Sequence, residues 1–223
     1  MKKQIKAILF DFDGVLADTM EDNFLAWQKA FKDYEINIKK EDYFPLEGME
    51  LIKIAKKISG KYKVHPDPET IVKLKNKYYL EDHSFFLYPK AAELIDLLKK
   101  NKFLLAIVSA GTRERLRRTV PAEFLKKFDT IISGEDSKNG KPSPDPYLNA
   151  AKKLGVSPEE CVVIENAPLG IKSAKKAGMY CIAICSTLDQ LFLSEADEII
   201  DKFEDLEKLT MVKMLINNKN YDN

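Results

Sequence analysis

Asp11 and Asp13 stand one residue apart, just after the apolar run "AILF" (7–10), and Gly14 follows them at once. A second run, "FLLAIVS" (103–109), delivers Ser109 with Ala110 and Gly111 behind it, and another, "CVVIE" (161–165), delivers Glu165 and then Asn166. Lys141 lies in "NGKPSPDPY", ahead of a proline-led helix start. These are the parts of a covalent group transfer: a nucleophile, an acid, a hydroxyl donor and a cation. Singly, each has a plainer explanation. An Asp or Ser after a strand commonly caps a helix, and a lone Lys is commonly solvated. Four independent caps would have no reason to supply these four groups at matching edges, so the joint pattern points to chemistry.

The elements that must position them are legible from periodicity. "TIIS" (130–133) and "CIAIC" (181–185) complete five short apolar runs, and helical spacing fills the gaps, as at Ala91, Leu94, Ile95 and Leu98. Strands alternating with helices require crossovers and therefore a parallel sheet, the doubly wound, Rossmann-like α/β pattern. In such sheets ligands bind beyond the carboxyl ends of the strands, where every candidate above falls. Between Asp18 and Phe86 the rhythm breaks into amphipathic segments only, "NFLAWQKAFKDY", "ELIKIAKKI" and "ETIVKLKNKYYL". A structureless loop of that length is improbable. The spacing predicts a core in two parts, 1–17 and 87–223, around an inserted all-helical cap, 18–86, with linkers near 16–20 and 82–89. Pro89 is expected to open the first core helix, and the polar tail "NNKNYDN" to fray.

The 223 residues allow one full-sized core with a smaller insertion. With 36 Lys and Arg against 35 Asp and Glu, no global field draws the chain to nucleic acid or an acidic membrane, so selectivity for anions must be local. No stretch approaches the roughly 20 apolar residues of a membrane span. The apolar part of "MKKQIKAILFDFDG" is too short for a signal peptide. Cys161, Cys181 and Cys185 have no CxxC spacing and lie in or beside apolar runs, as buried thiols of a reducing compartment would. A cytoplasmic monomer or weak homodimer is expected.

In order and spacing, "DFDGVLADT", "VSAG", "GKPSPDPY" and "VVIENAPLGIKSAKKAGM" resemble the four motifs of the haloacid dehalogenase-like superfamily of phosphohydrolases. The helical insertion after the first resembles the cap of its β-phosphoglucomutase and phosphoglycolate phosphatase branch. The resemblance implies that Asp11 attacks phosphorus to form an aspartyl phosphate. It implies that Asp13 protonates the leaving oxygen and then deprotonates water. Ser109 and the Ala110 amide would bind phosphoryl oxygens with Gly111 beside them, Gly14 would let the backbone turn towards them, and Lys141 would offset charge. Mg²⁺ would be held by Asp11, the Asp13 carbonyl, Glu165 and Asn166, with a small phosphorylated metabolite as substrate. A carboxyl close to a second carboxylate tends to have a raised pKa, so Asp13 is expected to hold a proton for donation.

The chain departs from the family in two places. The fourth motif, which commonly ends in two acids, is Glu165-Asn166, so the site carries one negative charge fewer, unless Asn166 only caps the helix at Pro168. In the cap, mutases resemble the chain at Trp27 but have a His at the position of Asn23, and a Lys and an Arg where Glu47 and Leu51 flank Gly48. Without these anchors for a second phosphate, water is the expected phosphoryl acceptor. Asn23, Gly48 and Arg113 are candidates for substrate contact, with Lys53 and Lys56 as alternative cations. Trp27, at helical spacing with Phe24 and Phe31, is expected in the cap core. His65 and His83 have no ligand partners at metal spacing.

Overall fold

The structure is a computed structural model that describes residues 4–209. Six parallel strands form one sheet: β1 (Ala7–Phe10), β2 (Leu104–Val108), β3 (Thr130–Ile132), β4 (Cys161–Glu165), β5 (Tyr180–Ile184) and β6 (Glu198–Ile200), in the order β3-β2-β1-β4-β5-β6. Five coincide with the apolar runs. β6 went unannounced because only three residues, Glu198, Ile199 and Ile200, pair at the sheet edge, too few to show a period. Phe10 stands opposite Ile107 on one side and Ile164 on the other, so β1, β2 and β4 end level. The chain builds outward from β1 to β3, then returns to place β4 on the other flank of β1. That reversal opens a crevice at the strand ends.

Between β1 and β2 lie α1 (Met20–Lys32), α2 (Lys40–Tyr43), α3 (Leu51–Lys61) and α4 (Pro68–Asp82), with no strand among them. Their apolar faces meet in a cluster of their own, which includes Phe24, Trp27, Phe31, Ile54 and Ile71. Trp27 is buried and stacks on Phe31 at 6.2 Å between centroids, so it belongs to the cap core. The two linkers run side by side. Asp18 N–H donates to Phe86 O (2.9 Å) and Tyr88 N–H to Leu16 O (3.0 Å).

After the cap come α5 (Ala91–Lys100), α6 (Arg113–Thr119), α7 (Ala122–Leu125), α8 (Asp145–Leu154) and α9 (Pro168–Lys176). β1 serves both faces by its period of two: Ile8 and Phe10 pack with α5, Ala7 and Leu9 with α8 and α9. Pro89 does not open α5. It sits beside Lys90, whose φ is 67°, in a turn closed by Ala91 N–H to Tyr88 O (3.0 Å), and the helix starts only at Ala91. Proline followed by a left-handed residue is type II turn chemistry, which competes with proline's preference for a first helical turn. Cys161 and Cys181 are buried, whereas Cys185, beyond the end of β5, is partly exposed. Among the described residues no helix is long and apolar enough to cross a membrane. The "NNKNYDN" tail lies outside the described residues.

Candidate active site

β1 stops at Phe10, but its neighbour continues to hold it: Asp11 N–H donates to Ile164 O at 3.0 Å. The Asp11 side chain is therefore carried on rigid backbone at the head of the crevice. Lys141 meets it there, with Nζ donating to Asp11 Oδ1 (2.5 Å), Glu165 Oε1 (2.6 Å) and Val108 O (3.2 Å). One ammonium thus ties together the ends of β1, β2 and β4. Burial pushes the Asp11 carboxyl well above its ordinary value, Lys141 opposes this, and Glu165 and Asp13 add to it. Burial alone would lower the Lys141 pKa, but Asp11 and Glu165 outweigh it and raise it.

Asp13 has a different environment. Its Oδ1 accepts from Thr19 Oγ1 (2.6 Å), Asn23 Nδ2 (3.1 Å) and Arg115 Nη1 (2.8 Å), and its Oδ2 from Arg115 Nη2 (2.5 Å). Burial works against the charged form, yet the Arg115 guanidinium and these hydrogen bonds bring its pKa down to about 2. The expectation that Asp13 holds a raised pKa is corrected. Of the two neighbouring carboxyls Asp11 is the raised one, because at Asp13 a bidentate arginine and its hydrogen bonds outweigh burial.

Ser109 stands at the head of β2, its Oγ accepting from Gly111 N–H (3.0 Å) and lying 3.5 Å from Asp13 Oδ2. Glu165, expected among metal ligands, is already fully occupied. Its Oε1 accepts from Lys141 and from Tyr147 OH (2.8 Å), and its Oε2 from the N–H groups of Asn166 (2.9 Å) and Ala167 (3.1 Å). Asn166 does not cap α9, whose N-cap is Ala167. Its Nδ2 donates to Thr187 Oγ1 (2.8 Å), and its Oδ1 is buried without a partner. Gly14, at φ 80°, turns the chain directly beneath that amide, where a Cβ would collide with Asn166.

The cap comes down on this cluster. Met49 bridges to Lys141, Glu50 Oε1 accepts from Gly140 N–H (2.8 Å), and a Cβ on Gly48 would lie 3.1 Å from Lys141 Cδ. A cavity of about 290 Å³ remains between them, walled by Leu51, Ile52 and Val72 of the cap and by Ser109, Ala110 and Thr112 of the core. Gly48 and Lys141 line it as well. Asn23 does not line it; it joins Asp13 to Lys75, accepting from Lys75 Nζ at 2.7 Å. Arg113 is turned aside to Asp136 Oδ2 (2.5 Å), Lys53 is paired with Glu50, and Lys56 is exposed. Glu47 is buried and accepts from Tyr43 OH. His83 stacks on Tyr79 at 5.7 Å.

Arg115, Lys75, Thr19 and Tyr147 were not singled out by the sequence. "RERLRR" offers four arginines with nothing to distinguish one. The available signal was Thr112, which caps α6 by accepting from Arg115 N–H (3.2 Å) and so fixes where the helix starts and which arginine turns inward.

A doubly wound sheet with paired aspartates beyond its central strand, a lysine spanning three strand ends and a helical cap over the crevice defines a capped α/β enzyme. The chain belongs to the haloacid dehalogenase-like hydrolases, whose family profile matches residues 8–184. It is similar to hexitol phosphatase A of Escherichia coli, 29% identical over 208 residues that cover 93% of this chain and 94% of that one. It is also similar to the chloroplast protein Suppressor of quenching 1 of Arabidopsis thaliana, 32% identical over 200 residues, which are 86% of this chain and 19% of that much longer protein. The crystal structure of β-phosphoglucomutase from Clostridium difficile superposes with a TM-score of 0.80 at 26% identity, covering 98% of this chain and all of that one (100%). The chain is a phosphohydrolase.

Proposed function

We propose that the protein is a Mg²⁺-dependent phosphatase of small sugar or polyol phosphates that works through an aspartyl phosphate. The observation that carries this is the Lys141 ammonium held between Asp11 and Glu165, with Lys141 and Ser109 both lining the cavity and Asp13 Oδ2 3.5 Å from Ser109 Oγ. Asp11 attacks phosphorus, the bond from phosphorus to the leaving oxygen breaks, and Asp13, ionised against Arg115 in this arrangement, must take up a proton from solvent before it gives one to that oxygen. Water then attacks the aspartyl phosphate and passes its proton to Asp13, which frees Asp11 and inorganic phosphate. Lys141, the Ser109 hydroxyl and the Ala110 amide hold the phosphoryl oxygens as charge builds on them.

Among the described residues no three of His, Cys, Asp or Glu converge as a metal-binding group. The donors on hand are instead oxygens of mixed kind. The unpartnered Asn166 Oδ1, with an Asp11 oxygen and the Asp13 carbonyl, fits a hard cation. Mg²⁺ bound there would supply positive charge against the phosphoryl oxygens. Residues 18–86 act as a cap that closes over substrate on the paired linkers, and the apolar Leu51–Ile52 wall with hydroxyls opposite suits a neutral, hydroxylated leaving group.

Phosphate release from a panel of sugar and polyol phosphates and from p-nitrophenyl phosphate, with Mg²⁺ and with a chelator, tests this. Release should require the metal and fall at least about a thousandfold in Asp11→Asn. No release from any ester would remove the phosphatase assignment, and steady turnover by Asp11→Asn would remove the nucleophile. The likeness to β-phosphoglucomutase supports a second reading, phosphosugar mutase. Conversion of β-glucose 1-phosphate to glucose 6-phosphate, given a bisphosphate activator and without free phosphate, would favour it.

A further inference from the structure

Asp11, Asp13 and Glu165 stand at the head of the crevice, and two of these carboxylates are already taken. Each oxygen of Glu165 accepts two hydrogen bonds, one from Lys141 and Tyr147, the other from the Asn166 and Ala167 amides. Both oxygens of Asp13 are gripped by Arg115, and Thr19 and Asn23 add to Oδ1. Asp11 remains, and the Lys141 ammonium, 2.5 Å from its Oδ1, already offsets its charge. A cation entering beside Asp11 therefore finds one carboxylate to ligate.

Asn166 decides the rest. It is buried, its Nδ2 donates to Thr187 Oγ1 at 2.8 Å, and its Oδ1 has no partner. That oxygen can ligate a hard cation, but as a neutral carbonyl, like the main-chain oxygen of Asp13. Mg²⁺ gives up its water reluctantly, and sites that offer it only one or two carboxylates rely on substrate phosphate for further ligands and charge. An Asp at position 166 would provide the second carboxylate, and Asn does not. We propose that Asn166 makes the hold on Mg²⁺ conditional on the phosphoryl group: the free protein binds the ion weakly, and phosphate supplies the missing negative charge. This rests on the Mg²⁺-dependent phosphatase reading above. Linkage makes the dependence reciprocal, so that whatever factor phosphate adds to the affinity for Mg²⁺, Mg²⁺ adds to the affinity for phosphate.

Calorimetric titration of MgCl₂ into the protein, with and without saturating inorganic phosphate, reads this without turnover. Inorganic phosphate is the product of the proposed reaction and so engages the same site. In the wild type it should tighten Mg²⁺ binding about tenfold or more, and Mg²⁺ should tighten phosphate binding by the same factor. Asn166→Asp adds a charge while keeping the shape of the side chain, and Thr187 can turn its hydroxyl to donate to the new oxygen. Without phosphate this variant should bind Mg²⁺ about tenfold more tightly than the wild type, and the gain from phosphate should shrink to about threefold or less. A wild-type affinity for Mg²⁺ that phosphate changes by less than about twofold overturns the proposal, whether or not the variant folds. So does an Asn166→Asp protein that is folded by urea unfolding and matches the phosphate-free affinity of the wild type. Absence of Mg²⁺ binding by the wild type under both conditions would instead remove the Mg²⁺-dependent reading itself, and this inference with it. Phosphate release that needs Mg²⁺, with no coupling between ion and phosphate, would leave that reading standing and remove the inference alone.

Discussion

Lys75 lies buried where cap meets core, donating to Asn23 Oδ1 with the Tyr79 ring 4.9 Å from its Nζ. Burial, and then the nearby Arg115, lower its pKa from 10.5 to about 7, and the Asp13 and Glu47 carboxylates only partly oppose this. Between these values the unfolded chain binds the proton and the folded chain does not, so stability rises with pH from about 7 towards 10.5. Urea unfolding should show this gain in the wild type and not in Lys75→Met; the same slope in both would clear Lys75 of the effect. Asp13 acts at the opposite end, because its folded pKa of about 2 lies below the ordinary 3.8. Its contribution is full above that ordinary value and is lost as the pH falls towards the folded one. Neither partner of these buried charges was legible in the sequence. Lysines and arginines are mostly surface residues, and periodicity alone does not say which one a cap will cover.

At the scale of elements, α9 and β4 approach so closely that a Cβ on Gly170 would strike the Glu165 carboxylate. Helix and strand thus hold Glu165 between them, and Glu165 in turn holds Lys141. Gly170→Ala must push α9 off the sheet or displace the carboxylate. The expected result is a loss of about 1–3 kcal/mol in urea unfolding, as for an overpacked core, together with weakened phosphate release. Full stability and full activity would show that the helix can shift freely. The strands themselves were readable, since β1, β2, β4 and β5 are continuous apolar runs, as strands buried on both faces must be. The start of α5 was not, because Pro89 suits a turn as well as a helix, and only the left-handed Lys90 decides between them.

For the whole molecule, the contact that matters is cap against core. Glu50 reaches across to the Gly140 amide and Met49 pairs with Lys141, so the cap loop rests on the residue that holds Asp11. Glu50→Ala removes a hydrogen bond to a charged acceptor and should favour the open arrangement. KM should rise about fivefold with kcat little changed, and small-angle scattering should show an expanded particle. An unaltered KM would place closure elsewhere.

The sequence by itself determined the doubly wound sheet, the helical insertion, the strand-end residues Asp11, Asp13, Ser109 and Glu165, and Lys141 ahead of a helix. Apolar period and position relative to a strand end are local properties of a chain. Only the tertiary structure decided what each charged group meets: Asp13 with Arg115, Glu165 filled by four donors, Asn166 left with a bare carbonyl oxygen. Asp13 and Arg115 are 102 positions apart and Lys141 and Glu165 24, and such pairings depend on which side chains packing removes from water.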